Sequence, residues 1–262
     1  MEFRVIGPGR AGSSFRLALE ARGWTCVGSL GRDDDPGEAA SGVDVVLLAV
    51  PDDAIADVAS RVEPGRAAVL HLSGASTLAG LAPHDRRGSV HPLVSLPDPR
   101  TGAERLLAGA TFAVAGDPVT RRVVATLGGV AIDVPDERRA AYHAAASVGA
   151  NHLVALCAQV ERLAGAAGVP IDAYWELMAR TLDNVRAVGA AGALTGPAAR
   201  GDLATLALHL DAIDPAEHGL YLALADAAAA LADRPLPSTR LGSFDPGPAT
   251  GSRPGGDGAG AP

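Results

Sequence analysis

The first 135 residues alternate between short apolar runs and amphipathic stretches. "FRVIG" is a compact apolar run that reads as a buried strand. "GSSFRLALEARG" then sets Phe15, Leu17 and Leu19 among polar residues and stops at Gly23, the pattern of a helix ending on a C-cap glycine. "TCVGSLG" reads as a second strand, and "DVVLLAVP", from Asp44, as a strand buried on both faces and closed by Pro51. "DDAIADVASRV" predicts a helix, and "AAVLHLSG", "GSVHPL" and "TFAVAG" predict three more strands. "DPVTRRVVATLGG" predicts a helix with Asp117 as N-cap and Pro118 at its first position, and "VAIDVP" closes the series. Strands alternating with helices predict an α/β unit with a doubly wound parallel sheet over residues 1–135.

The pattern changes at Asp136, and from there to Asp233 only helical periodicity is found. "ERRAAYHAAASVGANHLVALCAQVERLAGAAG" reads as one long Ala-rich helix ending near Gly168. "PIDAYWELMARTLDNVRAVG", with Pro170 near its start, "GDLATLALHLDAI" and "PAEHGLYLALADAAAALA" supply three more. An all-helical domain is therefore expected over 136–235. Residues 236–262 are rich in Pro, Gly and Ser, lack apolar mass, and are expected to be a disordered tail.

Composition narrows the chemistry. Hydrophobic residues make up 48% of the 262 but aromatics only 3%, so Ala, Val and Leu must fill the interior. All 22 basic residues are Arg, so no lysine ammonium is available as a catalytic acid. A formal charge of -8 without an Arg-rich run argues against a nucleic-acid surface. Cys26 and Cys157 form no CxxC and imply no disulfide framework, and no His or Asp cluster has metal-ligand spacing. No signal-peptide pattern and no spanning apolar run are seen, so a cytoplasmic protein without membrane contact is expected.

The candidate chemistry begins at "VIGPGRAGSSF", where Gly7, Gly9 and Gly12 form G-x-G-x-x-G between a strand and a helix. In that context Gly7 permits the tight turn, Gly9 lets the backbone approach a pyrophosphate, and Gly12 lets helix and strand pack closely. The helix start offers unpaired N–H groups to phosphate, and Ser13 and Ser14 would add hydroxyl donors. The expected cofactor residues are Gly7, Gly9, Arg10, Ala11 and Gly12, with Val50 and Pro51 closing the third strand. Arg10 would stack on adenine or pair with phosphate. After the second strand come Ser29 and Arg32, and Arg suits the 2′-phosphate of NADP; Asp33 would instead serve NAD if the loop were registered one residue on.

Hydride transfer also needs a proton donor and a substrate anchor. His143, Ser147 and Asn151 lie at i, i+4 and i+8 on the long helix, an arc of roughly 80° at 100° per residue, and their neighbours are small. They are the expected catalytic residues. "HLSGA" and "HPLVSLP" place His71, Ser73 and His91 at strand ends, where ligands bind in this architecture, so Ser73 and His91 are expected at the substrate. In "LTGPAARGD", Thr195 would cap a helix opened by Pro197, and Arg200 would bind a carboxylate bidentately.

Together "VIGPGRAG", "VDVVLLAVPDDAI", "HLSGA", "SVHPLVSLP", "YHAAASVGANHLVAL" and "LTGPAARGD" resemble proteins that join a Rossmann-like domain to the domain-of-unknown-function family 2520, over about residues 1–235. The wider relatives are the 6-phosphogluconate dehydrogenase-like and prephenate dehydrogenase-like superfamily. The resemblance implies a Rossmann domain, an all-helical second domain and a homodimer built through the helices. Some members of the family are associated with pantothenate synthesis as alternative ketopantoate reductases, which implies NADPH-dependent reduction of a small 2-keto acid such as 2-dehydropantoate. A prephenate- or imine-type dehydrogenase, and a nucleotide-binding regulator that senses NADP(H) without turnover, are the alternatives. The hydroxyacid dehydrogenase relatives use Lys and Asn four apart on the matching helix; this chain has no Lys, so His143 would replace the acid while Asn151 orients the substrate.

Overall fold

The structure, a computed structural model, describes residues 1–234 and 236; the expected disordered tail lies, apart from Leu236, outside the described residues. Two compact units divide between Val154 and Ala155. The change from strands to helices falls at Asp136, so the first unit also takes in the first helix of the helical stretch.

The first unit is built on seven strands: β1 (Glu2–Ile6), β2 (Thr25–Leu30), β3 (Val45–Leu48), β4 (Ala68–His71), β5 (Arg87–Pro92), β6 (Thr111–Gly116) and β7 (Val130–Asp133). Their order is β2-β1-β3-β4-β5-β6-β7. All neighbours are parallel except β5 and β6. This is the doubly wound Rossmann arrangement, with β6 and β7 reversed. The reversal follows from the path of the connection, which does not recross the sheet. Helix α3 (Pro99–Leu107) does not traverse the sheet: Leu93, leaving β5, bonds Thr111, entering β6, so the chain re-enters at the end it left.

β3 shows why the sheet is covered on both faces. All four of its side chains are buried; Val45 and Leu47 join one apolar cluster, and Val46 and Leu48 join the other. The first cluster gathers Phe3, Phe15, Leu70 and Phe112 with helices α1 (Arg10–Ala21) and α4 (Val119–Leu127); the second holds Ile55 and Ala59 of α2 (Ile55–Arg61). Gly23, at φ +82°, follows the C-cap of α1. α4 begins one residue later than expected, but Asp117 still accepts a hydrogen bond from the Val119 N–H at 2.9 Å.

The expected single long helix is interrupted. α5 (Asp136–Ser147) passes through a π turn at Val148–His152 before α6 (Leu153–Ala166). The second unit continues with α7 (Asp172–Ala193), kinked at Gly189, then α8 (Pro197–Arg200), α9 (Leu203–Ala212) and α10 (Pro215–Leu231). Its small core holds Ala198, Leu206 and Ala225. Gln159 and Arg162 of α6 are tied to Glu217 of α10. No residue of α7 is buried.

Candidate functional site

The glycine loop joins β1 to α1, and each glycine has a distinct surrounding. Gly7 stands at φ +94°, and a Cβ there would lie 2.5 Å from the Ala49 carbonyl oxygen. A Cβ on Gly12 would lie 2.2 Å from the Gly7 carbonyl oxygen. Beside Gly9 there is nothing within 4 Å. Turn, close packing and open approach thus fall on the three positions that a pyrophosphate-binding loop requires. Gly9 is the N-cap of α1, with no side-chain cap and no acidic residue in the first turn, so the leading N–H groups face open space. Arg10 is exposed at this start, Ala11 is partly buried, and Val50 and Pro51 leave β3 beside Gly7.

Ser13 and Ser14 correct the sequence reading. Their hydroxyls donate to the carbonyls of Pro8 and Arg10, at 2.9 and 2.7 Å, and Ser14 is fully buried. They stabilise the loop itself and are not free for phosphate. At the end of β2, Ser29 and Arg32 are exposed, and Arg32 has no ion-pair partner among the described residues. Asp34 and Asp35 accept backbone bonds from Gly31 and Gly37 and fix that turn.

A second group of polar side chains collects at the carboxyl ends of β4 and β5. His71 ends β4 and is completely buried. Neither of its ring nitrogens makes a well-formed hydrogen bond, although the Ser73 backbone lies near enough to favour its charged form. Ser73 follows it; its hydroxyl donates to Asp52 at 2.7 Å and accepts from the N–H groups of Ala75 and Ser76. His91, on β5, is bonded through Nδ1 to the Tyr142 hydroxyl at 2.7 Å.

α5 carries the other half of this group. Asp136 accepts from the Leu78 N–H at 3.0 Å, Arg139 donates to the Ser73 carbonyl, Tyr142 meets His91, and the His143 ring packs edge-on against His91 at 5.6 Å between centroids. Positions 136, 139, 142 and 143 follow the helical repeat, so one face of α5 is bound to the sheet by polar contacts. Arg139 is the one buried residue of this helix.

Electrostatics follow from that burial. Burial pulls His71 down to about 4, with Arg139 adding to the shift and Asp52 opposing it. Burial also pulls His91 down to about 4, with His143 and Arg139 adding. Burial lowers Arg139 and raises the Tyr142 hydroxyl. Both imidazoles are therefore neutral at pH 7 beside a guanidinium that keeps its charge.

Gly74 lies between the two histidines. A Cβ there would meet His143 Nδ1 at 2.4 Å and His91 Nε2 at 2.9 Å. His143 Nδ1 is buried and has no partner.

Of the expected site residues, the structure brings Ser73, His91 and His143 together. Ser147 ends α5, half-buried, and Asn151 is exposed within the π turn. In a regular helix Asn151 would be rotated by about 80° from His143. The π turn adds the equivalent of one residue, leaving seven steps of rotation and an offset of roughly -20°. Thr195 and Arg200 belong to the second unit. Thr195 does not cap α8: with Pro197 at the first helical position the N-cap falls on Gly196, at φ +98°. Arg200 is exposed, 3.9 Å from Asp202. Asp52, Arg139 and Tyr142 were not expected; the helical spacing of Asp136, Arg139 and His143 is the signal that would have found Arg139. Among the described residues no group of three or more His, Cys, Asp or Glu could hold a metal ion, and no helix is long and apolar enough to cross a membrane.

No curated protein matches the sequence. Among solved structures, a Bacteroides fragilis protein described as a candidate NADP oxidoreductase is similar with a TM-score of 0.75 at 19% identity, over 87% of this chain and 98% of that one. A Thermotoga maritima protein is similar with a TM-score of 0.64 at 23% identity, over 88% and 98%. Plasmodium falciparum pyrroline carboxylate reductase, solved with NADP bound, is similar with a TM-score of 0.58 at 10% identity, over 88% and 98%. At these identities the likeness is one of fold. Residues 110–228 match the family described as a domain of unknown function, DUF2520.

Proposed function

We propose that the chain is an NADP(H)-dependent oxidoreductase that reduces the carbonyl of a small 2-keto acid, with 2-dehydropantoate the first substrate to try. One observation carries the reading. The open phosphate loop at Gly9 and the His91–His143 cluster stand at the carboxyl-end edge of one set of parallel strands, where this fold binds ligands. The bound NADP in the Plasmodium relative supports the choice of cofactor.

The residues present fit the cofactor. The N–H groups of Arg10, Ala11 and Gly12 would hold the pyrophosphate. Arg10 would lie over the adenine side, Ser29 and Arg32 would take the 2′-phosphate, and Val50 and Pro51 would flank the loop. When bound, NADPH supplies the hydride. The chain's own task is to give a proton to the carbonyl oxygen as it becomes an alkoxide, yielding the hydroxy acid. His143 is the proposed donor, through Nε2. Asn151, brought into line by the π turn, and Ser147 orient the substrate. Ser73, with all its hydrogen bonds made, shapes the turn that carries Gly74. A homodimer through the helices is part of the same reading; α7, with none of its residues buried, supports it.

The test is calorimetric titration with NADPH, followed by loss of nicotinamide absorbance across a panel of 2-keto acids, ketones and cyclic imines. Turnover of a 2-keto acid is expected, and His143→Ala should lower it by about 10²–10⁴-fold with NADPH affinity unchanged. Tight binding with no turnover on any substrate would overturn the reductase in favour of a nucleotide sensor.

A further inference from the structure

We propose that Tyr142, His91 and His143 form a hydrogen-bonded line in which Tyr142 holds His91, and His91 accepts the Nδ1–H of His143, leaving His143 Nε2 alone to exchange a proton. The role in turnover rests on the reading of His143 as the proton donor; the line itself does not.

Three observations point to it, although the structure itself records a ring contact and no formed hydrogen bond between the two histidines. The Tyr142 hydroxyl and His91 Nδ1 are 2.7 Å apart, so the far nitrogen of His91, Nε2, is the one left to face elsewhere. His91 Nε2 and His143 Nδ1 both stand within 3 Å of one point, the place a side chain on Gly74 would begin. His143 Nδ1 is buried from water and has no partner. A buried N–H without an acceptor is costly, and His91 Nε2 is the nitrogen that faces the same space.

The protons can be placed. If His143 carries a proton on Nδ1, His91 Nε2 must be bare to accept it. The single proton of neutral His91 then sits on Nδ1 and is donated to the Tyr142 oxygen. When His143 gives its Nε2 proton to a substrate oxygen it passes from imidazolium to neutral, keeps the Nδ1 proton, and is recharged at Nε2 from solvent. No other group changes charge. This division of labour needs His91 and Tyr142 to remain neutral. His91, pulled down to about 4, and Tyr142, pushed above its usual range, both do at pH 7. The groups acting on His91 are His143 and Arg139 from α5, which disfavour its charged form, and Asp52 beyond β3, which favours it. Tyr142 and His91 are thus positioning residues, as an orienting partner is to an imidazole that moves protons.

Gly74 is part of the device. A methyl group at this position would come within 2.4 Å of one nitrogen and 2.9 Å of the other, and would wedge the two rings apart.

The tautomers can be read directly by nitrogen-15 NMR of the full-length protein labelled at histidine, at pH 8, with signals assigned by their loss in His91→Gln and His143→Gln. In the unsubstituted protein both His91 and His143 should carry their proton on Nδ1. In Tyr142→Phe, His91 loses its acceptor and should revert to the Nε2–H form favoured in water. That proton then faces His143 and should turn it to Nε2–H as well. Gly74→Ala should uncouple His143 while leaving His91 bonded to Tyr142. On a substrate that turns over, Tyr142→Phe should lower kcat about 10–100-fold with little change in KM. His143 found as Nε2–H in the unsubstituted protein would overturn the line. So would an Nδ1–H signal of His143 unmoved in both Tyr142→Phe and His91→Gln; the second variant carries this arm if the first does not fold. If the tautomers are as stated but no substrate is reduced, the line stands and the reductase reading falls.

Discussion

Arg139 is a charge with no exposed surface, and its fixed hydrogen bond goes to a backbone carbonyl. Burial makes His71 and His91 reluctant to gain protons, and the Arg139 guanidinium adds to the effect at both. Their folded values of about 4 lie below the 6.5 of the free side chain, so the unfolded chain binds protons more readily between those limits. The stability they contribute is complete above pH 6.5 and is lost as pH falls toward 4, by up to about 1.4 kcal/mol per pH unit for each group. Urea midpoints measured at pH 7 and pH 5 should differ accordingly, and His71→Gln should flatten the slope; equal midpoints would show that the imidazoles protonate as easily in the fold as out of it. At the other end of the loop system, Arg32→Asp should weaken NADPH binding by about 1.5–3 kcal/mol and spare NADH, which calorimetry with both nucleotides would show. The glycine loop was legible because each glycine answers a backbone demand that no other residue meets. Arg139 was missed although it stands one turn before His143 on the same face of the helix, a spacing that separates it from the exposed Arg138.

Strands and helices were read from apolar runs and periodicity, and the seven strands stand where those runs lie. Direction was not so readable. An apolar run such as "TFAVAG" is the same pattern whichever way it runs, and nothing in the length of the β5–β6 connection shows that it returns to the end it left instead of recrossing the sheet. The π turn was illegible for a similar reason: "SVGANH" continues the small-residue pattern of its helix, and one extra residue per turn leaves no mark on composition. The consequence can be tested by shortening the helix. Deleting Ala150 should convert the π turn to regular helix while leaving Asn151 seven steps from His143 and so on the same face. A folded protein whose KM stays within a few-fold of the original is expected. Deleting Ala150 together with Gly149 should turn Asn151 by about a further 100° and raise KM sharply.

The two units differ in how completely they hide their apolar side chains. In the first, both faces of the sheet are covered. In the second, Leu177 and Val188 of α7 and Leu208 of α9 each remain more than 60% exposed. Apolar surface on this scale calls for a partner, and a second copy of the chain is the one proposed. Light scattering at micromolar concentration should give twice the chain mass. The pair of substitutions Leu177→Glu and Val188→Glu should halve it, without disturbing nucleotide binding by the first unit. A monomer in the unsubstituted protein would remove the dimer from the reading.

α5 is fastened to the sheet by polar contacts and buries only Arg139. Such an element has little apolar surface to lose when it lifts away, so its detachment should cost far less than unfolding the strands beneath. Amide hydrogen exchange should then show the segment 136–147 opening as one block, well ahead of β3 and β4. Because Tyr142 and His143 leave with it, each opening would strip His91 of both its neighbours at once. The rate at which the helix closes again then sets how quickly the histidine line can be rebuilt.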